Sequence, residues 1–300
     1  RNSIRVSVRD SRSQGIIPNS PSNMQHIALR ARNEIAKWFT SEVSLNYRRN
    51  HRDNIPVASG YSAGAGIMYS LWCYAPNIDM DWAKHYWLDG QEGIQQDSSL
   101  SGGKNNAYFI ANESINTQNR DRIYGNVKFD FNIYKGLTLM VRGGLDSQYD
   151  FRTQRFAFST PKDPNGFYRE QMIRSMQYSG EFLFRYTHDF AHDINLTANF
   201  GGSILNRQYE RHQQWADNLK NPSVYTLANA ASLVKTTNYL ERRQTNSLYG
   251  LVQLSWRYSL FLDITGRNDW SSTLPAENRS YFYPSVSGSA VLNELLNFGS

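Results

Sequence analysis

SLYGLVQLSWRYSLFLDITGRNDWSSTLPAENRSYFYPSVSGSAVL, residues Ser247 to Leu292, decides how the chain is read. At a period of two, Leu248, Gly250, Val252, Leu254 and Trp256 fall on one face of an extended segment, and Tyr249, Leu251, Gln253, Ser255 and Arg257 fall on the other. A short turn follows Trp256. Leu260, Leu262, Ile264 and Gly266 then alternate with Phe261, Asp263, Thr265 and Arg267. After a polar excursion over 268–283, Val286, Gly288, Ala290 and Leu292 alternate with Ser285, Ser287 and Ser289. Short turn, long loop and alternating strands with one apolar face are the grammar of a transmembrane β-barrel.

The same grammar runs through the chain. Ile4, Val6 and Val8 oppose Arg5, Ser7 and Arg9, and Ile27, Leu29 and Ala31 oppose Ala28, Arg30 and Arg32. A tight connection at 36–39 leads into Val43, Leu45 and Tyr47. Val127, Phe129, Phe131 and Ile133 oppose Asn126, Lys128, Asp130 and Asn132, and a turn at Tyr134-Lys135-Gly136 leads to Leu137, Leu139, Val141 and Leu145. Two more strands, 179–186 and 194–205, flank THDFAHD. The pattern predicts about ten strands of ~9–11 residues each. Short turns fall near 37, 135, 190 and 258, and longer connections over 10–25, 50–120, 150–177, 207–246 and 268–283. Their alternation puts all turns on one side of the sheet and all loops on the other.

Composition agrees with this class. Aromatic residues make up 14% of the 300 and charged residues 19%. Mean hydropathy is negative, and no stretch approaches the ~18 consecutive apolar residues of a spanning helix. A barrel strand offers lipid only every second side chain, so neither fact speaks against one. Rings gather at the predicted strand ends: Trp38, Phe39, Tyr134, Phe190, Trp256 and Tyr258 by the turns, and Tyr47, Tyr149, Phe151, Trp270, Tyr281 and Tyr283 by the loops. Amphipathic rings favour the lipid–water boundary. The formal charge of +6 comes from Lys and Arg spread along the chain, without the clustered footprint of a nucleic-acid binder. Cys73 is alone, which excludes an internal disulfide.

Three wordings are specific: Gly266-Arg267-Asn268-Asp269-Trp270-Ser271-Ser272-Thr273-Leu274-Pro275, Ser280-Tyr281-Phe282-Tyr283-Pro284-Ser285 followed by Asn293-Glu294, and Gly15-Ile16-Ile17-Pro18-Asn19-Ser20. They resemble the SusC/RagA family of TonB-dependent outer-membrane transporters. The resemblance implies a larger barrel with an N-terminal plug and a TonB box, a SusD-like surface lipoprotein as partner, and a location in the outer membrane of a Gram-negative, Bacteroidota-like bacterium. It also implies energised uptake of glycan oligosaccharides or peptides without covalent catalysis or a cofactor. Residues 1–300 are expected to lie within the barrel domain, with plug and C-terminal strands outside this chain, because it opens without a leader and stops just past a strand. The alternative is a secreted all-β adhesin or glycan-binding module, which shares alternating strands and exposed rings. One continuous apolar band would separate the two.

Several motifs contain residue types that can carry chemistry. Gly60-Tyr61-Ser62-Ala63-Gly64 has the spacing of a nucleophile elbow but lacks the strand before and helix after, and reads as a glycine-rich loop. His188 and His192, with Asp189 and Asp193, sit at a turn without further identifiable ligands and read as solvated turn residues. Asp79, Asp81 and Asp89 lack the order of a calcium loop. No metal site is expected. Asp130, Arg142, Asp146, Asp263 and Arg267 occupy the polar faces of strands and are expected to form a hydrated lumen network. The excursion over 50–120 includes a short helix at 67–75 and holds Trp72, Tyr74, Trp82, Tyr86 and Trp87 among amides and carboxylates. These are the ingredients of a surface for cargo or partner, or equally of a long loop's own small core.

Overall fold

A computed structural model describes residues 2–56, 66–190 and 193–293. Ten strands form one antiparallel sheet in chain order, each paired with its sequence neighbours. They are β1 (Ser3–Gln14), β2 (Pro21–Ala36), β3 (Phe39–Arg52), β4 (Ile115–Tyr134), β5 (Leu137–Thr160), β6 (Asp163–Phe190), β7 (Ile194–Ala216), β8 (Lys235–Trp256), β9 (Leu260–Ser271) and β10 (Ser280–Ala290).

The short turns fall where the spacing predicts them. Gly136 shows what such a turn demands. Its φ is +75°, and a Cβ built there would lie 2.1 Å from the Thr187 carbonyl oxygen of the adjoining strand, so only glycine fits. In the β8–β9 turn, Arg257 and Tyr258 both take left-handed backbone, at φ of 50° and 51°. This handedness matches the twist of a tight hairpin.

The strands differ from expectation in length. They run from 11 residues in β10 to 28 in β6, rather than ~9–11. The connections expected over 10–25, 150–177 and 207–246 shrink accordingly to 15–20, 161–162 and 217–234. Pairing of β5 with β6 continues from Leu137↔Tyr186 to Thr160↔Asp163. At ~3.4 Å per residue the hairpin is about 80 Å long, far more than a ~30 Å hydrocarbon layer. Ladder hydrogen bonds do not depend on side-chain polarity, so polar residues ended the apolar alternation without ending the strands. The actual turn is marked by Pro161, whose fixed φ suits the first central position.

Register turns local alternation into a continuous surface. Phe39, Phe131, Leu139, Phe184 and Phe200 stand opposite one another across β3 to β7. Leu137, Tyr186, Ala198, Val252, Ile264 and Val286 form the neighbouring row across β5 to β10. Val43, Val127, Phe129, Leu254 and Leu262 share the same face. These side chains are largely exposed, with Phe200 at 53% and Ile264 at 45%. On β4 the apolar positions run from Ile123 to Phe131, about 27 Å along the strand and about 21 Å in height at a ~40° tilt, near the ~25 Å band of outer-membrane barrels. Trp38, Phe39 and Phe131 stack beside the β2–β3 turn, with ring centroids 5.0–6.3 Å apart. Tyr281 and Tyr283 do not join this surface. They pair with Asp269 and Arg267 on the opposite face, and Phe282 between them takes the apolar side.

Among the described residues of the excursion between β3 and β4 lie three short α-helices, α1 (Ile67–Trp72), α2 (Met80–Ala83) and α3 (Ala107–Glu113). Helix α1 stops short of the expected 75 because Ala75 precedes Pro76. Ile67, Ala107, Ile110 and Ala111 form its buried core, with Ile17, Leu71 and Tyr74 packed against it.

Candidate functional site

Alternation places Asp130, Arg142, Asp146, Asp263 and Arg267 together on the face opposite the apolar band. There they are linked by residues that a motif search passes over. Lys128 bridges Glu42 at 3.3 Å and Asp130 at 3.1 Å. Arg142 pairs with Glu181, which also accepts a hydrogen bond from the Tyr249 hydroxyl at 2.8 Å. Arg122 forks onto Asp146 through Nε at 2.8 Å and through its terminal nitrogen. Arg267 donates to Asp269 at 2.8 Å and to Ser247 at 3.0 Å. Asp263 stands outside these pairs, with one buried carboxylate oxygen lacking a hydrogen-bond partner. Glu181 and Tyr249 were legible in principle, since GEFLF and SLYGL put them out of phase with their apolar neighbours.

Closer to the long connections the same face becomes richer in arginine. Asp150 is fully buried and takes hydrogen bonds from Arg120 at 2.8 Å, Arg152 at 2.7 Å and Gln118 at 3.0 Å on one oxygen.

The five rings of the excursion separate into two groups. Trp72 is 71% exposed and Trp82 54% exposed. Tyr74 packs on the small core and its hydroxyl accepts the Ala107 N–H at 2.9 Å. Tyr86 and Trp87 close on Phe109, with centroids 5.2–6.2 Å apart. The Tyr86 hydroxyl donates to Glu113 at 3.1 Å. Burial pushes the Glu113 carboxyl above the usual carboxylate range, against the hydrogen bond from Tyr86 and the charge of Arg155. Burial, then the charge of Glu113, pushes the phenols of Tyr86 and Tyr225 up to about 12. The Arg155 guanidinium lies 4.5 Å from the Tyr225 ring. These groups hold the excursion together.

The remaining motifs have structural roles where they can be seen. Gly60 to Gly64 and His192 lie outside the described residues. His188 packs between Tyr186 and Phe190, with centroids at 6.1 and 4.5 Å. Asp79 caps α2 by accepting the Asp81 N–H at 2.8 Å, and Asp81 pairs with Lys84. Among the described residues no group of three or more His, Cys, Asp or Glu is placed to hold a metal.

No family model matches the chain. The TonB-dependent receptor P3 of Formosa agariphila is 21% identical to it over 279 residues, covering 90% of this chain and 27% of that protein. Among solved structures, the RagAB peptide transporter superposes with a TM-score of 0.79 at 18% identity, over all of this chain and 33% of its own. FpvA of P. aeruginosa gives 0.58 at 13% identity over 98% of this chain and 36% of its own. The siderophore receptor PiuA from Acinetobacter baumannii gives 0.52 at 11% identity over 96% and 42%. This chain therefore spans between about a quarter and two fifths of the length of these relatives. Strand order, apolar band and these likenesses agree on the fold: the described residues form ten consecutive antiparallel strands like those in the barrels of TonB-dependent receptors, and among the solved structures named here RagAB superposes with the highest TM-score.

Proposed function

We propose that this chain forms part of the wall of an outer-membrane transporter in a Gram-negative, Bacteroidota-like bacterium. The transporter takes up glycan oligosaccharides or peptides with energy delivered through TonB and with a SusD-like lipoprotein at the surface. The observation that carries this reading is the pair of opposed faces. One is a continuous apolar band across β3 to β10, and the other is a wall of linked charges. A secreted adhesin or glycan module would have no reason to expose that band to water. The solved RagAB structure, described as a peptide transporter, supports peptide cargo as one form of the reading. Residues 1–300 belong to the barrel domain, with the plug elsewhere in the polypeptide.

In this account Asp130, Arg142, Asp146, Asp263 and Arg267 line the water-filled side. Paired charges there hydrate the path, whereas the same groups in lipid would cost a few kcal/mol each near the midplane. The exposed rings of Trp72 and Trp82 offer flat surfaces to cargo or lipoprotein, while Tyr74, Tyr86 and Trp87 position the excursion that carries them. Passage is selective and involves no covalent step.

The test replaces Trp72 and Trp82 together by Ala in the full-length receptor at unchanged surface expression. Loss of a stacking ring costs on the order of 1–3 kcal/mol in binding. Cargo uptake or lipoprotein co-purification should fall at least several-fold. Wild-type values for both would remove the excursion from the binding surface.

A further inference from the structure

The rim of the charged face, where β4 to β7 approach the long connections, carries more cations than it neutralises. Three rows of register define it: Arg120↔Asp150 with Ile173↔Arg211, Gln118↔Arg152 with Gln171↔Gln213, and Asn116↔Gln154 with Arg169↔Trp215. Arg120, Arg152, Arg169 and Arg211 thus share one face with Asp150 as the carboxylate among them. Asp150 is spent on Arg120 and Arg152, both bonded to the same oxygen. Arg169 and Arg211 have no carboxylate partner among the described residues, and Arg169 stands diagonally across from Arg152 on the adjoining strand, one same-face position along. The Nε of Arg211 is buried without a hydrogen-bond partner, and its guanidinium lies 5.8 Å from the Tyr239 ring. Glu241, the next acid along β8, is held by the Tyr239 hydroxyl at 3.0 Å and by Arg243 at 3.6 Å. Beside the cluster is a cavity of about 280 Å³ whose lining includes Asn116, Arg152, Gln154, Arg169 and Gln171.

Like charges crowded in a partly buried site are unfavourable unless an anion joins them, and guanidiniums with an adjacent amide match the geometry of a carboxylate. We propose that Arg152, Arg169 and Arg211 form a carboxylate-binding subsite on the solute path, selecting acidic oligomers over neutral ones. The inference rests on the transporter reading for its place on a path, but its ligand chemistry does not. Arg152 is tied to Asp150 on one side and open to the cavity on the other, which leaves Arg169 and Arg211 to supply the uncompensated charge.

The experiment measures equilibrium binding to the detergent-solubilised full-length receptor, which needs neither TonB nor uptake. A transport failure would therefore leave this result standing, and the reverse holds too. The probes are pentaglutamate against pentaglutamine, and a galacturonate trimer against a neutral galactose trimer. The two pairs tell a peptide carboxylate from a sugar one. The native receptor should bind at least one acidic probe about tenfold more tightly than its neutral counterpart. Added salt should shrink that margin. R169Q/R211Q should abolish the preference and change acidic binding far more than neutral binding, and R169K/R211K, which keeps the charge without the planar fork, should keep only part of it. A native receptor without preference in either pair overturns the proposal. So does a preference that survives R169Q/R211Q, or variants that lose acidic and neutral binding alike.

Discussion

Ile264 and Thr265 are adjacent in β9 and meet opposite surroundings, Ile264 in the apolar row with Val252 and Val286, Thr265 on the mixed face that carries the charges, between Leu251 and Ser285. An arginine at position 264 should therefore cost ~2–4 kcal/mol of assembly, and one at 265 little. Folded yield of the full-length variants in bilayers checks this, and equal yields would contradict the facing. Gly136→Ala places a methyl against the Thr187 carbonyl on left-handed backbone. It should lower the stability of the β4–β5 hairpin by more than the ~1–2 kcal/mol of the backbone strain alone, read as a fall in the denaturant midpoint. At this scale much was legible. A period of two in the sequence is enough to assign Asp130, Arg142, Asp146, Asp263 and Arg267 to one face, because alternation is a local property. Who pairs with whom was not, since Arg142 meets Glu181 across 39 residues and Tyr249 meets Glu181 across 68. Tyr281 and Tyr283 lie near a loop as the sequence implies, but their parity puts them on the polar side with Asp269 and Arg267.

The excursion and the long hairpins behave as elements. Asn106 caps α3 by accepting the Tyr108 N–H at 2.8 Å and donates to the Ala83 carbonyl at 3.0 Å. Asn106→Ala should cost ~1–2 kcal/mol locally. It should speed hydrogen exchange over 66–113 and leave the strands protected, whereas a change spread through the sheet would argue against an independent unit. Glu113 adds a pH dependence. Its folded pKa is raised, so its contribution is fully present below the ordinary carboxylate value and is lost as pH rises through the raised one. Exchange in α3 should quicken over that window, and Glu113→Gln should flatten the response. An unchanged pH profile in the variant would assign the effect elsewhere. The sequence announced this region as irregular and ring-rich, but not which rings were spent inside it. Tyr86 and Trp87 find Phe109 only through the fold. Strand ends were illegible for another reason: the ladder continues through polar residues such as those of β5 beyond Tyr149.

At the scale of the molecule, the account rests on two faces of one sheet meeting two solvents. Sequence alone supplied this architecture because every strand repeats the same alternation, so errors at the ends did not accumulate into the topology. What it could not supply is alignment across strands. Register brings Phe39, Phe131, Leu139, Phe184 and Phe200 to one height and turns separate alternations into a band. The direct measurement is a cysteine scan of positions 251–255 and 261–265 in the full-length receptor, in a Cys73→Ser background. Each variant is spin-labelled in bilayers and probed for collision with dissolved oxygen and with a water-soluble nickel chelate. The account predicts a period of two on both strands, with Val252, Leu254, Leu262 and Ile264 favouring oxygen and Gln253, Ser255, Asp263 and Thr265 favouring the chelate. Equal access along the strands, or the opposite phase, would contradict it.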